Sequence, residues 1–265
     1  MSSSNAGDGG VTTEVRGHIL LMGLDRPAKY NGVTPEMMDQ LIDAYTRLET
    51  DPDLWVGVLF GHGDHFTAGL DLPRWTERMA ANQRREDDGD RVDPAGLGRS
   101  CTKPIVTAVH GITFTFGIEV ALAGDIVIAA DNCRFSQLEP ARGIHATGGA
   151  TFRFVERGGW GNAMYHLLTA DEFDATEAHR IGLVQEVVPA GTQLDRSIEI
   201  AERIASMAPL AVQATKASAR RWLDEGVEAC VRALGPTQAQ LIASDDAAEG
   251  VASFVERRSA VFTGR

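Results

Sequence analysis

Short apolar runs alternate with helical segments through much of the chain, and this order limits the fold to an α/β class. Residues 15–24 alternate loosely in polarity and predict an opening strand. A Thr-Pro pair at residues 34–35 then starts a helix, with a hydroxyl cap and a proline in the first turn. The apolar runs 55–60, 105–109 and 126–130 predict buried strands. The alternation predicts α/β layers joined by right-handed crossovers.

The pattern changes after residue 189, where strand-like runs stop and helical periodicity continues. Helices are predicted over residues 194–207, 210–225 and 227–242. A late helical section without strands forms either a packed subdomain or an oligomer interface. At the other end, the Ser/Gly-rich residues 1–10 predict a disordered tail.

A polar segment, residues 74–100, separates two of the predicted strands. A helix is predicted first, followed by a mobile charged loop around residues 84–91. The loop is either a solvated linker or a flexible wall over a pocket.

Composition and charge exclude several classes of protein. The net charge of −12 opposes wholesale binding to nucleic acid or to an anionic membrane. No apolar run approaches the roughly 20 residues of a membrane span, and the first residues do not resemble a signal peptide. The three cysteines and seven histidines show no metal-ligand spacing, so no metal site is predicted. The low cysteine count favours a reducing cytoplasm.

Glu119 and Glu139 are the candidates for chemistry. Glu119 follows Phe116 and Gly117 at a predicted helix start, where free N–H groups point outward. A turn at Ala68 offers another backbone N–H. Two carboxylates beside such N–H groups predict acid/base chemistry at an activated carbonyl. Taken singly, each residue also fits an ordinary role: a helix-dipole acid, an exposed loop acid and a tight turn.

Six segments together resemble the crotonase superfamily and, within it, the enoyl-CoA hydratases. The resemblance spans residues 15–262, and the order and spacing of the segments carry it. It implies an α/β, crotonase-like spiral of repeated strand–strand–helix units in residues 11–190, then a helical trimerisation region in residues 191–265. It also implies homotrimers, often paired into hexamers. The segments are residues 25–31, 66–72, 109–125, 137–151, 168–178 and 181–184.

The resemblance also implies roles for individual residues. Glu119 and Glu139 match the two catalytic glutamates of the hydratases, and Ala68 and Phe116 match the backbone donors of the oxyanion hole. Because coenzyme A is part of the acyl-CoA substrate, no metal or redox cofactor is expected. The residues expected to bind the substrate are Arg26, Ala28, Lys29, Tyr30, Gly69, Leu70, Asp71, Leu72, Phe114, Gly117, Leu138, Gly143 and Arg257.

The implied reaction adds water across the 2,3 double bond of an enoyl-CoA thioester, a step of fatty acid β-oxidation. Two N–H groups would stabilise the negative charge that grows on the thioester oxygen. Glu119 is expected to orient the water as a base, and Glu139 to deliver a proton to C2.

Three departures from the family pattern leave the natural acyl group open. Residues 115–117 read Thr-Phe-Gly where many members have three glycines, so the bulky Phe116 is expected to narrow the pocket. A family proline is replaced around residues 145–147. Residues 84–98 fall where relatives bind the acyl tail.

Two kinds of alternative function compete with the hydratase. One is another crotonase reaction, either enoyl-CoA isomerisation or acyl-CoA hydrolysis, and the presence of both glutamates argues against it. The other is a weakly active paralogue that binds acyl-CoA or RNA. The charge of −12 argues against RNA binding, and a weak acyl-CoA binder would keep its affinity but turn over poorly.

Overall fold

The structure, a computed structural model, describes residues 9–80 and 89–265. Its strands, in chain order, are β1 (Gly10–Arg16), β2 (Ile19–Asp25), β3 (Val56–Gly61), β4 (Ile105–Val109), β5 (Ile112–Phe114), β6 (Ile126–Ala130), β7 (Arg134–Ser136), β8 (Phe173–Asp174) and β9 (Glu186–Val188). Its α-helices are α1 (Pro35–Thr50), α2 (Leu72–Ala80), α3 (Phe116–Ala123), α4 (Ala150–Thr169), α5 (Ala175–Arg180), α6 (Gln193–Ala205), α7 (Pro209–Glu225), α8 (Val227–Ile242) and α9 (Asp245–Glu256).

The chain winds as a spiral of strands and helices, in which the two middle repeats each supply a strand to each of two sheets and then a helix. The larger sheet has the order β1-β2-β3-β4-β6-β9, and the smaller has the order β5-β7-β8. From β2 onward the strands of the larger sheet pair in parallel. One repeat is β4, β5 and α3, and the next is β6, β7 and α4. This repetition confirms the predicted spiral of strand–strand–helix units.

The opening segment differs from the single strand predicted over residues 15–24. β1 and β2 form an antiparallel hairpin joined by a turn at Gly17 and His18. Gly17 has a φ of +56°, in the left-handed region that glycine adopts at little cost. The prediction of one strand is therefore wrong, because a two-residue turn interrupts the alternating pattern.

A hydroxyl cap sets the start of α1, and apolar side chains pack helices against both faces of the larger sheet. The Oγ1 of Thr34 accepts a hydrogen bond from the Met37 N–H at 3.2 Å, as expected for the predicted cap. The main core includes buried residues of α1, α3 and α4, whereas α6 packs on the opposite face of the larger sheet through Ile198 and Ala201. By packing, α6 therefore belongs with the spiral, although it follows residue 190. The predicted division at that residue stays a prediction.

The helices predicted over residues 194–207, 210–225 and 227–242 are confirmed as α6, α7 and α8. The helix expected at the start of the polar segment is α2. The tail predicted over residues 1–10 and the charged loop around residues 84–91 lie mostly outside the described residues. In the part of the chain that the structure describes, no helix combines the length and the apolarity needed to cross a membrane.

Candidate active site

The first loop of the predicted oxyanion hole, residues 66–72, presents a different backbone N–H from the one expected. The Ala68 N–H already donates to the carbonyl oxygen of Tyr30 at 2.9 Å, so the prediction of Ala68 as the donor is wrong. Leu70 forms a parallel bridge with Val33. Because the neighbours of Leu70 make the two hydrogen bonds of that bridge, the Leu70 N–H meets no acceptor among the described residues. Leu70 is the donor that the geometry favours.

The second predicted donor lies at the start of α3. The Phe116 N–H belongs to the first helical turn, where a helix leaves its N–H groups unpaired. No acceptor for it occurs within residues 9–80 and 89–265. The Phe116 side chain is 5% exposed and packs in the main core, which contradicts the expectation that it narrows the pocket. Phe116 therefore stays the predicted second donor through its backbone alone.

Thr115 and Gly69 bring the two loops into close contact. Thr115 has a φ of +49° and a ψ of −115°, a conformation that a β-branched residue rarely adopts. Gly69 has a φ of +100°, and a Cβ added to it would overlap the Oγ1 of Thr115. Threonine thus replaces the first glycine of the family triplet at a cost in backbone strain, and the loop opposite must keep its glycine.

Replacing Gly69 by alanine is expected to destabilise the protein and to lower its activity. The left-handed φ alone costs roughly 1–3 kcal/mol for a residue with a Cβ, and the overlap with Thr115 adds to that cost. Gly191→Ala is the matched control, because Gly191 has a φ of +92° and open space around its Cβ position. Thermal denaturation should show the larger loss for Gly69→Ala. Equal losses would mean that the contact with Thr115 adds nothing.

The carboxylate of Glu119 is buried and held by the first residues of α4. Its side chain is 4% exposed, and its Oε1 accepts hydrogen bonds from the Gly148 N–H at 2.6 Å and the Ala150 N–H at 3.3 Å. Burial raises the pKa of Glu119, while these N–H groups and the Arg153 charge oppose the rise by stabilising the anion. A carboxylate at a helix N-terminus is also favoured by the helix dipole. The pKa of Glu119 is raised overall, and the two N–H groups are placed to stabilise its anion once it forms.

The carboxyl group of Glu139 lies in a less polar setting. Glu139 is 9% exposed, and its Oε2 is buried without a hydrogen-bond partner in the described part of the chain. Burial and the negative charge of Glu119 raise the pKa of Glu139 to about 7, although the positive charge of His145 acts the other way. Glu139 is therefore partly protonated at neutral pH, as a general acid requires.

Gln137 is a neighbour of Glu139 that the sequence analysis did not single out. Its Nε2 donates to the Oε1 of Glu139 at 3.4 Å, and its side chain is fully buried. The Oε1 of Gln137 has no partner among the described residues. A buried amide beside an acid can fix the orientation of the carboxyl group. The only sequence signal for Gln137 was its position two residues before Glu139.

The predicted substrate-binding residues fall around these groups. Arg26 and Asp71 form a half-buried ion pair with an Nη1–Oδ2 distance of 2.7 Å. Ala28, Lys29 and Tyr30 are exposed at a short 3₁₀ turn beside them. Their roles toward a substrate stay predictions, as do those of Gly69, Leu70 and Leu72 on the first loop, Phe114 and Gly117 beside the second donor, and Leu138 and Gly143 beside Glu139.

Arg257 is not brought to the other predicted site residues. It ends α9 with a left-handed φ of +56°, and its side chain is exposed. In residues 9–80 and 89–265 no hydrogen bond or ion pair joins Arg257 to the groups described above. The resemblance assigned it to a neighbouring subunit's substrate, and that role also stays a prediction.

Comparisons with known protein sequences agree on one family. A sequence model of the enoyl-CoA hydratase/isomerase family matches residues 14–265. The chain is 33% identical over 254 residues to the enoyl-CoA hydratase EchA19 of Mycobacterium tuberculosis, covering 95% of this chain and 96% of the relative. It is 36% identical over 258 residues to the (E)-benzylidenesuccinyl-CoA hydratase of Thauera aromatica, covering 96% and 99%.

The fold is similar to the folds of solved structures from the same family. A probable enoyl-CoA hydratase/isomerase from Mycobacterium abscessus superposes with a TM-score of 0.94 at 46% identity, covering 97% of this chain and 100% of the other. An enoyl-CoA hydratase from Mycobacterium tuberculosis superposes with a TM-score of 0.87 at 35% identity, covering 97% and 100%.

Proposed function

The chain belongs to the enoyl-CoA hydratase/isomerase family, and we propose that it is an enoyl-CoA hydratase that uses Glu119 and Glu139 as its base and acid. The observation that carries the assignment of roles is the contrast between the two buried carboxyl groups. Hydrogen bonds from two backbone N–H groups stabilise Glu119 as an anion, whereas burial beside that anion favours the protonated form of Glu139.

In the proposed mechanism the thioester oxygen accepts hydrogen bonds from the N–H groups of Leu70 and Phe116. These donors stabilise the enolate-like charge that develops as water attacks C3, and one such donor is typically worth about 3 kcal/mol. Glu119 removes a proton from the attacking water, and Glu139 gives a proton to C2. The chemistry uses acid–base groups and backbone donors, so the proposal requires no metal or redox cofactor.

The class of enoyl-CoA substrate and the cellular location are also proposals. A 2-enoyl-CoA of the β-oxidation type is the substrate class that this chemistry serves. The three cysteines are free, and Cys101 and Cys133 are buried. Free thiols of this kind fit the reducing cytoplasm, where we place the protein.

The test is the loss of the enoyl thioester absorbance when purified protein is added to crotonyl-CoA. Rapid loss with formation of 3-hydroxybutyryl-CoA, identified by mass, is the expected result. Release of free thiol would instead indicate a hydrolase. Turnover only with a 3-enoyl-CoA, with a gain of conjugated thioester absorbance, would indicate an isomerase. Binding without turnover of either compound would contradict the hydratase proposal.

We also propose that the chain assembles as a homotrimer or as a hexamer of two trimers. The support is that α4 and the helices α7 to α9 expose many large apolar side chains, which a monomer would leave in water. We call these side chains together the exposed apolar surface. Phe254 on α9 is 85% exposed and Trp160 on α4 is 70% exposed. Other exposed apolar residues of this surface are Tyr165, Leu168, Trp222, Val227, Val231, Leu234, Val251 and Val255.

Replacing Phe254 by aspartate is expected to weaken the assembly, because the substitution puts a charge where a second copy would bury an aromatic ring. Light scattering after gel filtration should give three or six times the monomer mass for the wild type and a smaller mass for the variant. Val15→Asp is the control, since Val15 is exposed on β1, outside this surface. A monomeric wild type would overturn the proposal.

A further inference from the structure

The backbone of Gly148 lies between two buried charged side chains. Its N–H donates to the Oε1 of Glu119 at 2.6 Å, and its carbonyl oxygen accepts from the Nη1 of Arg153 at 2.9 Å. Arg153 stands in the first turns of α4, the helix whose N-terminus also supplies the Ala150 N–H. The N–H and the carbonyl belong to the two peptide units that meet at the Gly148 Cα, so one residue connects the guanidinium of Arg153 to the proposed base.

The fit around this backbone leaves no room for a side chain. A Cβ added to Gly148 would overlap the Glu119 carboxylate, and one added to Gly149 would overlap the Arg153 guanidinium. Gly149 also has a φ of +105°, which favours glycine. Both charged groups therefore lie directly against the backbone of residues 148–149.

Arg153 is an unusual buried cation. It is 4% exposed, and its Nη2 donates to the carbonyl oxygen of Ala95 at 2.6 Å. Within residues 9–80 and 89–265 its guanidinium forms no ion pair with a carboxylate, whereas buried charges are usually paired. Glu119 is the acid whose charge favours the protonated form of Arg153 most strongly. The packing alone gives no reason for an arginine rather than an apolar residue here.

We propose that Arg153 is a positioning residue, which holds the backbone of Gly148 in the conformation whose N–H binds the Glu119 carboxylate. Its planar guanidinium donates to the carbonyl oxygens of both Gly148 and Ala95 and so anchors the carbonyl side of Gly148. The close fit around residues 148–149 restricts rotation of the backbone between that carbonyl and the Gly148 N–H. The positive charge of Arg153, on the other side of Gly148, favours the anionic form of Glu119. In kinetic terms the inference rests on the proposed function, since Glu119 acts there as the base.

Removal of the charge should shift the pH dependence of the reaction. The charged groups that act on Glu119 are Arg153 from α4 and Glu139 from the turn before α4, and His145 acts on Glu139. Arg153 is itself acted on by Arg220 from α7 and by Glu156 and Arg157 from α4. In Arg153→Gln the anion of Glu119 loses its positive neighbour, so its pKa rises. The ascending limb of kcat/KM against pH should move upward by about one unit, and kcat should fall by roughly 10–100-fold. KM should change little.

Arg153→Lys separates charge from geometry. Lysine keeps the positive charge but lacks the planar fork, so the ascending limb should stay near its wild-type position while kcat still falls. This variant also keeps the test decisive if Arg153→Gln folds poorly. A kcat equal to that of the wild type in Arg153→Lys would overturn the positioning role.

Arg157→Gln is the matched control. Arg157 lies one helical turn further along α4, is largely buried, and donates to the carbonyl oxygens of Leu122 and Gly124 instead of Gly148. Its loss should lower the melting temperature, because carbonyl oxygens lose their donor in both arginine variants, without moving the ascending limb. A similar shift of the limb in both variants would show a general charge effect and reject the specific role of Arg153.

A readout without substrate separates this inference from the proposed function. Carbon-13 NMR of the labelled glutamate carboxyl groups, with the Glu119 signal identified by its disappearance in Glu119→Gln, follows the titration of Glu119 directly. Arg153→Gln should move that titration upward, and Arg157→Gln should not. An unmoved titration overturns the inference, whatever the enzyme does. A moved titration in a protein that hydrates no enoyl-CoA upholds the inference and rejects the function.

Discussion

Replacing Glu139 by glutamine is expected to lower kcat for enoyl-CoA hydration by ~10²–10⁴-fold, the usual contribution of a general acid. Glutamine has nearly the same shape and can keep the contact with Gln137, but it has no acidic proton to give to C2. KM should change little, since binding does not depend on that proton. Steady-state kinetics with crotonyl-CoA measures both constants. Glu156→Gln removes an exposed charge on α4 and is the control.

The pH profile gives a second test of Glu139. Burial and the charge of Glu119 raise its pKa to about 7, and the acid is active only when protonated. The kcat/KM of the wild type should therefore fall as the pH rises through about 7, and the residual activity of Glu139→Gln should not show that fall. A variant with wild-type turnover would remove Glu139 from the mechanism.

The same substitution should stabilise the protein at alkaline pH. The folded state binds the Glu139 proton more tightly than an unfolded chain, whose glutamate has a pKa near 4.5. The stability that this group contributes is therefore fully present below pH 4.5 and is lost as the pH rises through about 7. At pH 8 the variant, which carries no buried charge there, should melt at a higher temperature than the wild type. The difference should vanish near pH 4.5, and thermal denaturation at both pH values checks it.

Replacing Glu119 by glutamine is expected to have an effect of similar size, a loss of ~10²–10⁴-fold in kcat, because the attacking water loses its base. The amide oxygen of glutamine can still accept the Gly148 N–H, so the start of α4 should keep its structure. The ascending limb of the pH profile should disappear in this variant, whereas Glu139→Gln should lose the descending limb. Retention of both limbs in the two variants would contradict the division of roles.

The double variant Glu119→Gln/Glu139→Gln tests whether the two groups act on one water. Residues that work as a unit lose most of their effect when either member is removed. The double variant should therefore be only slightly less active than either single variant. A loss equal to the product of the two single losses would mean that the carboxylates act in independent steps.

The sequence predicts those parts of the fold that depend on local signals. Thr34 and Pro35 mark the start of α1, and the periodicity after residue 189 gives α6 to α8 nearly to the residue. Both signals depend on neighbours in sequence, such as a hydroxyl cap or an apolar stripe. The hairpin of β1 and β2 was missed because Gly17 and His18 interrupt the strand for only two residues.

The site depends instead on contacts between distant segments. The choice between Ala68 and Leu70 as donor is decided by the carbonyl of Tyr30, which occupies the Ala68 N–H from 38 positions earlier in the chain. The N–H groups that stabilise the anion of Glu119 lie 29 and 31 positions later. Such partners cannot be recognised from neighbouring residues in the sequence. The resemblance therefore identified the segments that form the candidate site but not each of its hydrogen-bond donors.

The order of strands in the larger sheet has a consequence for how the chain folds during its synthesis. From β1 to β9 its strands follow one another in space in the same order as along the chain. A nascent chain can therefore add each strand to the edge formed by the strand before it, without waiting for a distant partner. The candidate site joins the loop after β3 to α3 and to the N-terminus of α4, so it is complete only after α4 has left the ribosome and docked.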